Sequence, residues 1–286
     1  MSAALALSAS SSLCFGIALV TGRIGLHSLD ARSGAAISIP TATLLFILAA
    51  PFALRVDGFS LEAALLFALV GLFFPAVVTL LTFRSNERLG PTITSAVSGT
   101  APLFALLAAA LLLGERIPAR ASVACIAVVI GIAVLSWRRG TARPVGWALL
   151  WPLSGALIRG FAQAGAKAGL VLWPNPLAAS LIGYIVSSAT VVGADRFRRS
   201  ARPGKRGIAW FAITGALNGG AVLLMYAALA RAPVSLVAPV VATYPLVTAL
   251  ASAAVLREEP VTWRVASGAA ITVLAIVYLV GSRTGA

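Results

Sequence analysis

Acidic side chains are scarce in this 286-residue chain: eight Asp and Glu stand against 22 Lys and Arg. All eight (Asp30, Asp57, Glu62, Glu87, Glu115, Asp195, Glu258 and Glu259) fall in loops or at the ends of apolar runs. A carboxylate at membrane depth is a common carrier of protons and cations, so its absence disfavours a carboxylate-coupled proton antiporter. The one histidine, His27, lies in the first loop. With no buried acid or histidine to serve as a base beside a nucleophile, an intramembrane enzyme is also disfavoured. Cys14 and Cys125 are the only cysteines, and two without zinc-type spacing suggest neither a disulfide framework nor a metal site; no metal or cofactor is expected. Charged residues make up 10% of the chain, far below the roughly 25% of a soluble domain. The longest polar stretch, 195–206, is only a loop.

Long apolar runs are what the chain has instead. It is 60% hydrophobic with a mean hydropathy of +0.99. Ten spans can be drawn, at 3–22, 35–54, 62–83, 91–113, 120–137, 146–169, 175–194, 207–229, 234–256 and 263–281. Each is close to the ~20 residues that cross a bilayer core as a helix. The runs are continuous rather than alternating, which excludes a strand barrel. The first lacks a basic leader and is too long for a signal core, so it reads as a retained helix. The expected fold is an all-α membrane protein with ten transmembrane helices.

The net charge of +14 comes from cations beside span ends, where they orient a membrane protein rather than bind nucleic acid. Fifteen of the 22 sit in alternate loops: Arg23 and Arg32; Arg84 and Arg88; Arg138, Arg139 and Arg143; Arg196, Arg198, Arg199, Arg202, Lys205 and Arg206; Arg257 and Arg264. Six lie on the opposite side (Arg55, Arg116, Arg120, Lys167, Arg231 and Arg283), and Arg159 stands alone inside a span. The positive-inside rule then makes the 7–8 loop cytoplasmic and both termini external.

The chain is also internally repeated, as halves 1–140 and 145–286 of five spans each. Phe83, Arg88, Pro91, Pro102 and Glu115 recur as Tyr226, Arg231, Pro233, Pro245 and Glu258, and Gly16 and Arg23 recur as Gly160 and Lys167, at offsets of 142–144. Because five is odd, the second copy enters the membrane from the other side. Inverted repeats of this kind are typical of secondary transporters with a site at the repeat interface.

Span 6 is the most informative. Trp151, Gly155, Arg159, Gln163 and Lys167 follow at intervals of four and share one helix face. Two readings stand for Arg159: a cavity wall that holds a substrate carboxylate through its guanidinium fork, or a structural tie to backbone carbonyls. Arg23 and Lys167 either snorkel to the interface or pair with Glu258 and Glu115 as gates at the two mouths; those acids equally suit caps of the following helices. Pro75, Pro102, Pro239, Pro245 and Asn218-Gly219-Gly220 suggest kinked, mobile spans. Phe83, Trp151, Tyr184, Tyr226 and Tyr244 either wall a pocket for an organic solute or serve as packing and interfacial anchors.

The segments Ala101–Pro118 and Tyr244–Trp263, with the Gly16-to-Arg23 spacing, resemble the signatures of the ten-helix EamA-type branch of the drug/metabolite transporter superfamily, including amino-acid exporters of the YddG kind. Phe15 stands where that pattern commonly has Trp, and Arg159 occupies the matching position in span 6. The resemblance implies an exporter of small metabolites, amino acids foremost, in a bacterial-type inner membrane, with Arg159 holding the carboxylate. Within the superfamily a nucleotide-sugar or phosphate-ester carrier is the runner-up; a structural membrane subunit is a further alternative. The expected partners are a small, carboxylate-bearing solute and the lipid bilayer.

Overall fold

A computed structural model describes residues 2–136, 146–195, 204–256 and 263–281, and among these the regular structure is entirely helical. The helices are α1 (Ser2–Leu26), α2 (Ala31–Ala53), α3 (Leu61–Phe73), α4 (Ala76–Ser98), α5 (Ala101–Leu113), α6 (Ala119–Ser136), α7 (Leu150–Leu172), α8 (Pro176–Asp195), α9 (Lys205–Leu229), α10 (Val234–Val241), α11 (Tyr244–Ala251) and α12 (Trp263–Gly281). Starts and stops follow local chemistry. Asp30 caps α2 by accepting from the Ser33 N–H at 2.9 Å, and the Asn175 side chain caps α8 through the Ala178 N–H at 3.0 Å. Gly90 turns the chain inside α4 at φ 80° and ψ 170°, a conformation that suits glycine because it has no Cβ to clash.

Among the described residues six stretches are long and apolar enough to cross a membrane: Ser2–Leu26, Ala31–Ala53, Leu61–Ser98, Pro176–Gly193, Lys205–Leu229 and Val234–Leu256. The surface is correspondingly apolar. Leu44, Leu48, Leu65, Leu69, Leu111 and Leu274 are all more than half exposed, while Ser11, Ser95, Thr94, Asn86, Gln163 and Arg159 are buried. Lipid in place of water accounts for this inversion, since leucine is as content against acyl chains as against protein.

Three of the expected spans are interrupted. The run at 62–83 breaks at Phe74 and Pro75, where α3 ends and α4 begins. Those at 91–113 and 234–256 break at Gly99-Thr100 and Ala242-Thr243, so that Pro102 and Pro245 fall in the first turns of α5 and α11. There proline costs no intrahelical bond, because its missing N–H would have had no partner. At Asn218-Gly219-Gly220, where the sequence suggests a kink, α9 runs as unbroken helix. Gly219 instead lets α9 approach α2, where an added Cβ would meet Ala42.

The packing is reciprocal between the halves. α1 lies along α9 as α7 lies along α3 and α4; α1 touches α10 and α11 as α7 touches α4 and α5; α2 packs on α9 as α8 packs on α3. Individual contacts exchange in the same way. A Cβ on Gly16 would strike Val247, and one on Gly160 would strike Phe104; Gly25 meets Phe211, and Gly169 meets Phe67. Partners differ by 143 or 144 positions in every case. Small residues allow this close approach of backbones, the main source of helix association in lipid.

Candidate functional site

Arg159 projects from the middle of α7 toward the junction of α1, α4 and α11. It is 7% exposed, and its buried Nε has no hydrogen-bond partner. Its guanidinium carbon lies 5.1 Å from the ring centre of Phe15, 5.6 Å from Tyr244 and 5.9 Å from Phe74. Three π faces spread some of the charge, but they accept no hydrogen bond in the guanidinium plane. Among the described residues no carboxylate or carbonyl takes that role.

Two adjoining hollows of about 20 Å³ each, room for about one water apiece, open onto this group and share Phe15, Thr82, Phe83, Arg159 and Asn218. Thr79 and Tyr184 add to one, Ser98 and Tyr244 to the other. No acidic side chain lines either. The result is a positively charged cleft with aromatic walls, two sets of hydroxyls and a single amide, suited to an anionic group on a partly apolar molecule.

The other residues singled out from the sequence divide among several places. Tyr184, Phe83 and Tyr244 line the hollows; Phe83 also packs on Phe211 with centroids 5.2 Å apart. Gln163, 2% exposed, lies one turn along α7 with its Oε1 unpartnered. Tyr226 is buried in the apolar core and lines neither hollow. Trp151 belongs elsewhere too: its ring and that of Trp147 bracket the Arg88 guanidinium at 5.0 and 5.3 Å. The shared helix face thus holds for Arg159 and Gln163, but the end of α7 bearing Trp151 has left the cleft. Asn218 lines the cleft from an unbroken helix. Phe74 and Phe15 were not identified as site residues from the sequence; for Phe15 the signal was its offset of 144 from Arg159.

The charged residues near the helix ends dock on backbone. Arg23 donates to the carbonyls of Asn86 at 3.0 Å and Glu87 at 3.1 Å. Lys167 donates to those of Leu229 at 2.7 Å and Ala232 at 3.2 Å. Each cation thus neutralises the carbonyl end of the third long span of its own half. Glu115 accepts from the N–H groups of Val234 and Ser235, at 3.2 and 3.1 Å, and from the Ser235 hydroxyl. Lys167 and Glu115 therefore grip the same turn, 229–235, from its two sides, and among the described residues no carboxylate lies within ion-pair distance of Lys167. Glu258 lies outside the described residues. Thr92, the counterpart of Ser235, has a buried hydroxyl with no partner. No group of three or more potential metal ligands occurs among the described residues.

The model of the EamA-like transporter family matches the chain twice, at 2–137 and 146–281. No curated protein matches it. A solved crystal structure of a protein is 15% identical and superposes over 100% of both chains with a TM-score of 0.80, a likeness of fold alone.

Proposed function

Since the chain belongs to the EamA-like transporter family, a family of multi-pass membrane carriers of small molecules, we propose that it is a secondary transporter that moves a small organic anion through the Arg159 cleft by alternating access. The observation that carries this reading is the guanidinium itself, buried, without a hydrogen-bonding partner and open to a hollow. A permanent cation at membrane depth costs roughly 2.5–3.5 kcal/mol or more, and a bound carboxylate offsets that cost through two parallel charged hydrogen bonds.

On this reading 1–140 and 145–286 are inverted five-helix repeats, with the cleft at their interface. The exchange of contacts between the halves supports an approximate two-fold relation. Rocking of one half on the other opens the cleft to either side, and the turns held by Arg23, Lys167 and Glu115 lie where each mouth would close. Amino acids are the substrates we favour, exported across a bacterial-type inner membrane with both termini external. A single guanidinium favours one carboxylate over the several charges of a nucleotide sugar. The step is movement without chemical change.

Flux of radiolabelled amino acids into proteoliposomes tests the proposal. Arg159→Ala should lower flux about 10- to 100-fold at equal membrane abundance, the loss expected for a charged hydrogen bond. Arg159→Lys should recover only part, because the fork is lost. Unchanged flux in Arg159→Ala would overturn the role.

A further inference from the structure

Away from the central cleft, a hollow of about 260 Å³ lies between α2, α4 and α8. Its walls include Ala35, Val77, Leu80 and Val191, and Arg32 and Arg84 stand at its rim. The same two arginines line a second, outer hollow of about 320 Å³, whose other members include Asp30 and Glu87. No acid lines the inner hollow.

The order of these groups along the helices is the informative point. On α4, Val77, Leu80, Arg84 and Glu87 are spaced three, four and three residues apart and so form one stripe. The stripe runs about 15 Å along the axis, from apolar through cationic to anionic. On α2 the N-cap Asp30, then Arg32, then Ala35 repeat the order from the helix end inward. The end of α8 supplies Val191 at the apolar level. Neither Arg32 nor Arg84 has a carboxylate in ion-pair distance or donates a hydrogen bond within the described residues. Asp30 is engaged as the cap of α2, whereas Glu87 is exposed beside the rim.

We propose that this groove binds one aminophospholipid, a phosphatidylethanolamine: an acyl chain along Val77 and Leu80, the phosphodiester between Arg32 and Arg84, and the primary ammonium at Glu87. The groove and this headgroup run through the same sequence of polarity, with Arg32 and Arg84 for the phosphodiester and Glu87 for the ammonium. An anionic headgroup would meet the phosphate site but bring no cation to Glu87. A trimethylated headgroup carries the cation but has no N–H to donate to Glu87.

The test is lipid titration of the purified, delipidated full chain, read as the melting midpoint, with phosphatidylethanolamine, phosphatidylcholine and phosphatidylglycerol of identical acyl chains. Phosphatidylethanolamine should stabilise at the lowest concentration. Arg32→Gln and Arg84→Gln should each raise that concentration about fivefold, the effect of one basic residue at a lipid surface. Glu87→Gln should leave binding but remove the preference over phosphatidylcholine. Leu80→Trp, which fills the apolar wall without a change of charge, should weaken all three lipids. Free phosphoethanolamine at the same concentrations should do nothing; stabilisation by it would reassign the site to a soluble ligand. Equal or tighter binding of phosphatidylcholine or phosphatidylglycerol by the unsubstituted chain would overturn the proposal, whatever the fate of the variants. So would a preference for phosphatidylethanolamine that survives Glu87→Gln.

Discussion

The two halves share a plan and differ where it matters. In the first, the third span breaks at Phe74 and Pro75; in the second, α9 passes the matching position, Asn218, as unbroken helix. The first helix of one half carries Phe15 and that of the other carries Arg159, 144 positions apart, and these two counterparts touch, with the guanidinium 5.1 Å from the ring. The broken span delivers Phe74 against the same guanidinium, while the intact one delivers an amide. Scaffold contacts such as Gly16–Val247 and Gly160–Phe104 are kept in both halves; the chemistry of the cleft is not. Duplicated packing supplies the frame, and departures from duplication supply the site.

The strongest way to break this comparison is to move the charge across it. Phe15→Arg, which sets two guanidiniums face to face, should abolish flux to at least the extent of Arg159→Ala, beyond about tenfold. The double variant Phe15→Arg with Arg159→Phe should return flux to within about tenfold of the original, because cation and ring have merely exchanged halves. A double variant as inactive as the single one would show that the cleft reads which half bears the charge.

A smaller effect tests the shared frame. Gly16→Leu and Gly160→Leu each overpack a helix crossing and should cost about 1–3 kcal/mol apiece, measured as similar drops in melting midpoint. A large cost at one site and none at the other would confine the reciprocity to backbone shape. Lys167→Met, which uncaps the carbonyl end of α9, should cost about 1 kcal/mol, and Arg23→Met a similar amount at the end before Gly90.

The smallest difference is expected at the counterparts Arg88 and Arg231. Arg88 is bracketed by Trp147 and Trp151, while Arg231, in the turn after α9, donates among the described residues only to Ala227 at the end of that helix, at 2.8 Å. Arg88→Gln should lose about 0.5–1 kcal/mol and Arg231→Gln less than that, in the same melting assay. The reverse order would remove the bracket as a source of stability.

The helical architecture was legible because apolarity is a bulk property: a run of twenty residues that faces lipid has to be apolar whatever its neighbours do. Backbone breaks are not visible to that signal. Gly99-Thr100 and Ala242-Thr243 lie inside runs that are apolar enough on average to read as single spans, and the proline at 75 looks no different from those inside α2. At Asn218-Gly219-Gly220 the helix continues unbroken, and Gly219 serves close contact with Ala42. In the cleft, Arg159 was legible because a charge stands out in an apolar span. The rings of Phe15 and Phe74 were not, because phenylalanine is ordinary in such spans and only the meeting of α1, α4 and α7 gives them a role. Trp151 shares a helical face with Arg159, yet a face is a local property, and the length of α7 carries its first turn out to Arg88.

The contact between Phe15 and Arg159 has a consequence for how such a site can exist at all. Counterparts of a two-fold pair touch only close to the axis, so a dimer of identical half-length chains would set this side chain against its own copy. Two phenylalanines tolerate that meeting, whereas two arginines repel at short range with nothing between them. A lone cation at such a contact is therefore open only to halves that are encoded separately, as the two halves of this chain are, so that one is free to stay neutral.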